Sequence, residues 1–198
     1  MGIVSLLLNT KARKYRAKAM NSENTASLVS GSAEDRLSGL DPVLAVASGK
    51  TVLDIGSHDG TVAEAMALAG ASRIDGCDIS AAAVEKARLR FDALGTTPST
   101  FCVADLSKGA KVLAELPFLP HYDIVCYLAV HQHLAGQMPR WRLNRLELAI
   151  FSRTDLVLAR TPERHWPDLH ASMVRCGFVQ VSDETKRNIG PLRVYRRA

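Results

Sequence analysis

Residues Thr51–Gly60 read TVLDIGSHDG, a short β-rich run followed at once by a turn with two glycines. Glycine lets the chain turn tightly and lets a ligand approach the backbone closely. Thr61–Ala69 follows with a helical pattern, so the segment predicts a strand, a turn and a helix N-terminus, where free N–H groups can face a ligand. The glycines alone are weak evidence, because any strand–turn–helix connection can contain them.

Strand-like and helix-like runs alternate through the rest of the chain. The predicted strands are Thr51–Ile55, Arg73–Cys77, Thr100–Val103, Tyr122–Val130 (centred on Ile124–Leu128), Leu156–Ala159, Phe178–Ser182 and Leu192–Tyr195. The predicted helices are Thr61–Ala69, a segment capped by Ser80 and ending near Leu94, Ser107–Leu116, Pro139–Phe151 and Pro167–Cys176. This order predicts an α/β three-layer sandwich, with a seven-stranded, mostly parallel sheet and helices on both faces. The connection through Gly190-Pro191 is too short for a parallel crossover, so the last strand is predicted to be antiparallel.

The chain has the length of a single domain with its own core, which we predict over residues 49–198. Residues 1–48 are predicted to be an extension that combines a basic helical segment with a polar loop. The polar stretch Asn21–Ser38 predicts the loop. Asp41 is predicted to cap a short helix that ends near Ala47, with Pro42 in its first turn.

The net charge of +5 is a local feature of the N-terminus. Residues 23–198 are formally neutral, because residues 1–22 hold no acid and five bases: Lys11, Arg13, Lys14, Arg16 and Lys18. A neutral body argues against the broad basic surface of a nucleic-acid enzyme. Residues 1–18 predict an amphipathic helix that packs on the domain or makes a weak contact with a membrane surface. No apolar run reaches the ~18 residues that span a bilayer.

The four cysteines are widely spaced, and none forms a CxxC motif: Cys77, Cys102, Cys126 and Cys176. Three of them fall in predicted buried strands, where a free cysteine behaves as a small hydrophobic residue. Reduced core thiols of this kind predict a cytoplasmic protein.

Acidic residues lie at the ends of three successive predicted strands: Asp54, Asp78 and Asp105. Asp78 lies 18 residues beyond Gly60, close to the ~20 expected for an acid that binds a ribose. The turn lacks the GxGxxG spacing of a dinucleotide site. An acid before the turn repels a pyrophosphate and suits a cationic nucleoside ligand.

Four segments carry a resemblance to a known family: VLDIGSHDG, IDGCDIS, CVADLS and YDIVCYLAVHQHL. Together with the closing helix–strand–strand, they resemble the class I S-adenosylmethionine (SAM)-dependent methyltransferases over about Gly49–Arg197. The resemblance implies SAM as cofactor and S-adenosylhomocysteine as product. It implies that Asp54, Gly56, Ser57 and Gly60 surround the amino-acid part, that Asp78 binds the ribose, that Ile79 and Asp105 meet the adenine, and that His58 and Leu106 also lie beside the cofactor.

The chain departs from the family pattern at two places. His58 stands where the usual GxGxG has its middle glycine, and Phe151–Asp155 replaces the usual glycine-proline turn before the fifth strand. These departures concern the conformation of two loops.

Two histidines follow the fourth strand, where a general base would meet an acceptor. The unperturbed pKa of histidine, ~6.5, suits proton removal. His131 is the first candidate and His133 the second, because similar methyltransferases often have a His-Leu pair like His133-Leu134 that only shapes the pocket. The alternative that both histidines only shape the pocket is left open. Asp123 lies at the start of this strand rather than its end, so no metal site is predicted.

Two aromatic segments each allow two interpretations. Arg140-Trp141-Arg142 is either a nucleic-acid contact or, as we favour, an amphipathic helix with Trp141 partly buried. Trp166 either lines the acceptor pocket or covers the sheet edge.

These features predict a methyltransferase that acts on the oxygen, nitrogen or carbon of a small molecule. The alternatives are an RNA or other macromolecular methyltransferase docked by the basic N-terminus, and a SAM-binding protein without turnover. The oligomeric state is left open.

Overall fold

The computed structural model describes residues 33–184 and 191–198. The predicted basic N-terminal helix, most of the polar loop and Gly190 lie outside the described residues.

The described residues form strands and helices in alternation. The strands are β1 (Thr51–Ile55), β2 (Arg73–Asp78), β3 (Ser99–Val103), β4 (Ile124–Leu128), β5 (Leu156–Arg160), β6 (Phe178–Glu184) and β7 (Leu192–Arg197). The α-helices are α1 (Ala33–Leu37), α2 (Asp41–Leu44), α3 (Thr61–Leu68), α4 (Ala81–Leu94), α5 (Ala110–Glu115), α6 (His131–Ala135), α7 (Arg140–Phe151) and α8 (Trp166–Arg175). Short 3₁₀ turns cover Leu106–Lys108 and Glu163–His165.

The strands form one seven-stranded sheet in the order β3-β2-β1-β4-β5-β7-β6. Strands β1 to β5 are parallel, and β7 is antiparallel to both of its neighbours. The predicted fold is therefore confirmed. The strand order reverses between β1 and β4, and ligands of open α/β sheets bind at the carboxyl ends of the strands beside such a reversal.

Helices cover both faces of the sheet, and each face has its own apolar core. One core includes Leu40, Met66 and Val84 from the α1–α4 side. The other includes Leu146 and Met173 from α7 and α8. This double burial explains why the central strands lack polar alternation. In the described part of the chain, we find no helix with the length and apolar character needed to cross a bilayer.

The structure corrects two predictions for the residues before β1. The last part of the predicted polar loop is helix α1, because Leu37 and Leu40 are fully buried and their packing stabilises so short a helix. Asp41 is not a cap: the helix α2 begins with it, Leu40 occupies the cap position, and no side chain caps this end.

Two further differences lie beyond β4 and before β5. Ala129 adopts φ 59°, which turns the chain at once into α6, a helix that the sequence pattern did not predict. The turn that lacks glycine-proline is held by Arg197 instead. Its Nη2 donates to the carbonyls of Phe151 at 2.9 Å and Thr154 at 2.8 Å.

Candidate cofactor and acceptor site

A cavity of about 460 Å³ opens at the carboxyl ends of the central strands. This volume is in the range that holds a cofactor-sized ligand. Of the residues expected beside the cofactor, all but Gly60 contribute to its wall: Asp54, Gly56, Ser57, His58, Asp78, Ile79, Asp105 and Leu106. Of the two candidate bases, the wall contains His133 and not His131.

The glycine turn places its backbone against the end of β2. The N–H groups of Gly56 and Ser57 donate to the carbonyl of Cys77 at 2.8 and 3.0 Å. Gly56 has φ +73°, and a Cβ there would lie 2.6 Å from Cγ2 of Val130, so a side chain at this position would strain the turn. Gly60 lies outside the wall and instead lets α3 start close to Ala87 of α4.

The floor of the turn holds two buried polar groups with unsatisfied atoms. Asp54 is 3% exposed, and neither its Oδ2 nor Oγ of Ser57 has a hydrogen-bond partner among the described residues. Burial, and then the charges of Asp78 and Asp59, raise the pKa of Asp54 to about 7. A ligand that brings N–H donors and a positive charge would satisfy both groups and favour the ionised carboxylate.

Asp78 and Asp105 each accept backbone hydrogen bonds. Asp78 accepts from the N–H of His58 at 2.9 Å and from that of Ser80 at 2.8 Å. It therefore links the glycine turn to the start of α4. Asp105 accepts from the hydroxyl of Ser107 at 2.6 Å, a bond that lowers the pKa of its carboxyl.

Helix α6 separates the two histidines. His133 is exposed and lines the cavity, whereas His131 is 2% exposed. Nδ1 of His131 lies 2.6 Å from Oε1 of the fully buried Glu147, and the hydroxyl of Tyr127 donates to the same oxygen at 3.1 Å. His131 therefore attaches α6 to α7, and its Nε2 is buried without a partner in the described chain.

Sequence reasoning missed the contribution of α1 and β5 to the cavity wall. Asp35, Arg36 and Arg160 all line it. The guanidinium of Arg160 is almost fully buried and donates to the carbonyls of Asp35, Arg36 and Ser38, and burial lowers its pKa to about 10. No periodicity or motif signals these contacts, because they join residues more than 120 positions apart.

Arg36 also contacts the glycine turn. Its Nη1 lies 3.0 Å from Oδ1 of Asp59 and 2.9 Å from Nδ1 of His58. Burial raises the pKa of Asp59, but hydrogen bonds and positive charge around it, including those of Arg36 and Thr61, outweigh this effect and hold the pKa below its usual range.

The two aromatic segments differ in exposure. Trp141 on α7 is 63% exposed, which is more than the predicted partial burial. Trp166 is 3% exposed and packs against Tyr195 of β7 with Arg193 above its ring, so it covers the face of the sheet at β7 and does not contribute to the cavity wall. No cluster of three or more metal-ligating side chains occurs in residues 33–184 and 191–198.

The chain matches the family model of a methyltransferase domain over residues 53–151. No curated protein sequence matches it.

Several solved structures share its fold. Magnesium protoporphyrin IX methyltransferase from Synechocystis PCC 6803, crystallised with SAM, is 19% identical at a TM-score of 0.65, over 96% of this chain and 97% of that one. A provisionally assigned RNA methyltransferase from Pyrococcus horikoshii is 15% identical with a TM-score of 0.67, over 96% of this chain and 99% of that one. A ribosomal protein L11 methylase from Lactobacillus delbrueckii subsp. bulgaricus is 13% identical with a TM-score of 0.59, over 95% of this chain and 80% of that one. The matched domain, the strand order and the cavity at the strand reversal together show that the chain belongs to the class I SAM-dependent methyltransferases.

Proposed function

We propose that this enzyme methylates a small molecule that enters the cavity beside SAM. The observation that carries the proposal is that α1 and the α6 region border the cavity together with the glycine turn. Helix α1 contributes Asp35 and Arg36 beside the turn, and the α6 region contributes His133, Leu134 and Gln137. A cavity bordered in this way suits a compact acceptor, and the neutral charge of residues 23–198 gives no general attraction to nucleic acid.

The half of the cavity beside β1 and β2 suits SAM. SAM, when bound, supplies an electrophilic methyl group on a sulfonium. Asp54 and Ser57 offer buried acceptors to the ammonium of its amino-acid part. Asp78 would accept the ribose hydroxyls, and Ile79, which is 62% exposed at the cavity, would cover one face of the adenine. Asp105 and Leu106 also line the cavity.

On the acceptor side, His133 is the stronger candidate for proton removal. It lines the cavity, so its ring can reach an acceptor, whereas Nε2 of His131 is buried. His131 instead holds α6 through Glu147, and so orients the helix that carries His133. Much of the rate of methyl transfer can come from this orientation of acceptor and methyl group.

An RNA acceptor is the second candidate, and one observation favours it. Trp141, Arg145 and Leu148 lie on one face of α7, at helical spacing, and all three are exposed. An exposed aromatic ring beside arginines can stack on bases.

Incubation with methyl-labelled SAM and fractionated cell extract tests the proposal. Label is expected in the small-molecule fraction. Label in RNA, reduced by Trp141→Ala, would favour the second candidate, and no transfer to any fraction would favour a binding protein without turnover.

The cofactor site has a calorimetric test of its own. Asp78→Ala should weaken SAM binding sharply, whereas the control Asp92→Ala, at an exposed position of α4, should not. Unchanged affinity in Asp78→Ala would contradict the site.

A further inference from the structure

Arg36 connects α1 to the glycine turn through two neighbouring acceptors. Two N–H groups of its Nη1 point to Oδ1 of Asp59 at 3.0 Å and to Nδ1 of His58 at 2.9 Å. Nη2 lies 3.4 Å from the other carboxylate oxygen of Asp59. The guanidinium is thereby held beside the cavity in a fixed orientation.

This contact determines which nitrogen of His58 carries its proton. A guanidinium has only donors, so Nδ1 must accept the hydrogen bond from Arg36. Nδ1 is also 3.3 Å from Oδ1 of Asp59, but a proton placed there would face the N–H of Arg36 across the shorter distance. The neutral ring therefore carries its proton on Nε2, as a donor.

Both groups remain accessible from the cavity. Arg36 and His58 line it, and their side chains are 25% and 37% exposed. Asp54 lies in the same wall, beneath the turn. This end of the cavity therefore brings together the carboxyl of Asp54, the guanidinium of Arg36 and the imidazole N–H of His58. An acid and a cationic donor side by side suit the ammonium and the carboxylate of an amino-acid zwitterion.

We infer that Arg36 and Nε2–H of His58 bind the carboxylate of the amino-acid part of SAM, while Asp54 faces its ammonium. The inference rests on the proposed cofactor site. It gives His58 a reason to occupy the usual glycine position, where its backbone has φ 48°, because a glycine there would supply no donor. It also makes α1, which lies outside the matched domain, part of the cofactor site.

A pair of ligands that differ only in the carboxylate tests the inference. Calorimetry compares SAM with decarboxylated SAM, which keeps the ammonium and the sulfonium. The wild-type protein should prefer SAM, and Arg36→Gln should reduce its affinity for SAM by about tenfold while leaving that for decarboxylated SAM nearly unchanged. His58→Asn, which tolerates a positive φ, should remove part of the same preference.

Arg90→Gln is the matched control. Arg90 also lies near Asp59, with Nη2 at 3.9 Å from Oδ2, but it does not line the cavity. Its loss should leave the preference for SAM intact. Thermal melting of each variant without ligand checks that it folds.

Three outcomes would overturn the inference. Equal weakening of both ligands in Arg36→Gln would mean that Arg36 only holds the turn, and no weakening of either would mean no contact. The same loss of preference in Arg90→Gln would assign the effect to the charge around Asp59. Unchanged binding of both ligands in Asp78→Ala would instead contradict the cofactor site on which the inference rests.

Discussion

Replacing Asp54 by asparagine should make the protein without ligand more stable, and increasingly so as pH rises. The pKa of this carboxyl is about 7 in the folded protein, against 3.8 as its ordinary value. The folded state therefore keeps the proton that the unfolded chain releases between these two values. Where the folded state binds more protons, the free energy of unfolding falls as pH rises.

The size of the effect follows from the two pKa values. At ~1.4 kcal/mol for each pH unit, a carboxyl that titrates near 7 rather than 3.8 destabilises the fold by about 4 kcal/mol once it is ionised in both states. Part of that cost is already present at about pH 4.5. The advantage of Asp54→Asn over the wild type should thus grow by about 3 kcal/mol between about pH 4.5 and about pH 8.

Urea unfolding of both proteins without ligand, at the two pH values, measures this difference. Asp123→Asn is the control. Hydrogen bonding from the N–H of Thr51 lowers the pKa of Asp123, so its stabilising contribution is lost only as pH falls below the ordinary range, and this variant should show no added difference across the interval. Parallel pH profiles for Asp54→Asn and the wild type would refute the reasoning, because the carboxyl would then titrate alike in the folded and unfolded states.

The remaining predictions concern the walls of the cavity. Gly56→Ala should lower the free energy of unfolding by about 1–3 kcal/mol and weaken SAM binding, because φ is +73° and the new Cβ contacts Val130. Adding Val130→Ala should restore part of the stability, measured by thermal melting, and part of the SAM affinity, measured by calorimetry. His131→Ala should cost about 3 kcal/mol in urea unfolding, because it leaves the buried Glu147 without this partner, yet the affinity for SAM should stay near that of the wild type. His133→Ala should lower turnover at unchanged SAM affinity and stability, and normal turnover would exclude it as a base.

The sheet and the acids at its strand ends could be predicted because they depend on local patterns. Runs of apolar residues give the strands, and parallel strands bring their carboxyl ends to one edge, so Asp54, Asp78 and Asp105 had to share a rim. All three line the cavity. Their spacing along the chain was therefore sufficient to locate the cavity.

The directions in which the side chains of the two histidines point could not be predicted in the same way. His131 and His133 both follow β4, and in an extended segment they would point to the same side. In helix α6 they are about 200° apart, so one faces the core and the other the cavity. That helix has five residues and begins after a left-handed alanine, for which the sequence offers no pattern.

The contacts of Arg36 and Arg160 were also beyond prediction, for a different reason. Helix α1 lies in a stretch whose composition indicates a loop, and it is stabilised by packing of Leu37 rather than by its own propensity. An ion pair between Arg36 and Asp59 depends on that packing. Without α1, neither arginine has a predictable partner.

The buried guanidinium of Arg160 has a practical consequence for dividing this chain. The family match spans residues 53–151, and the sequence alone predicts a domain that begins at residue 49. A chain shortened to that point would lose the three carbonyls that Arg160 donates to, and would leave its guanidinium without these acceptors beside the cavity. A shortened protein intended for binding studies should therefore keep α1, and so begin no later than Ala33.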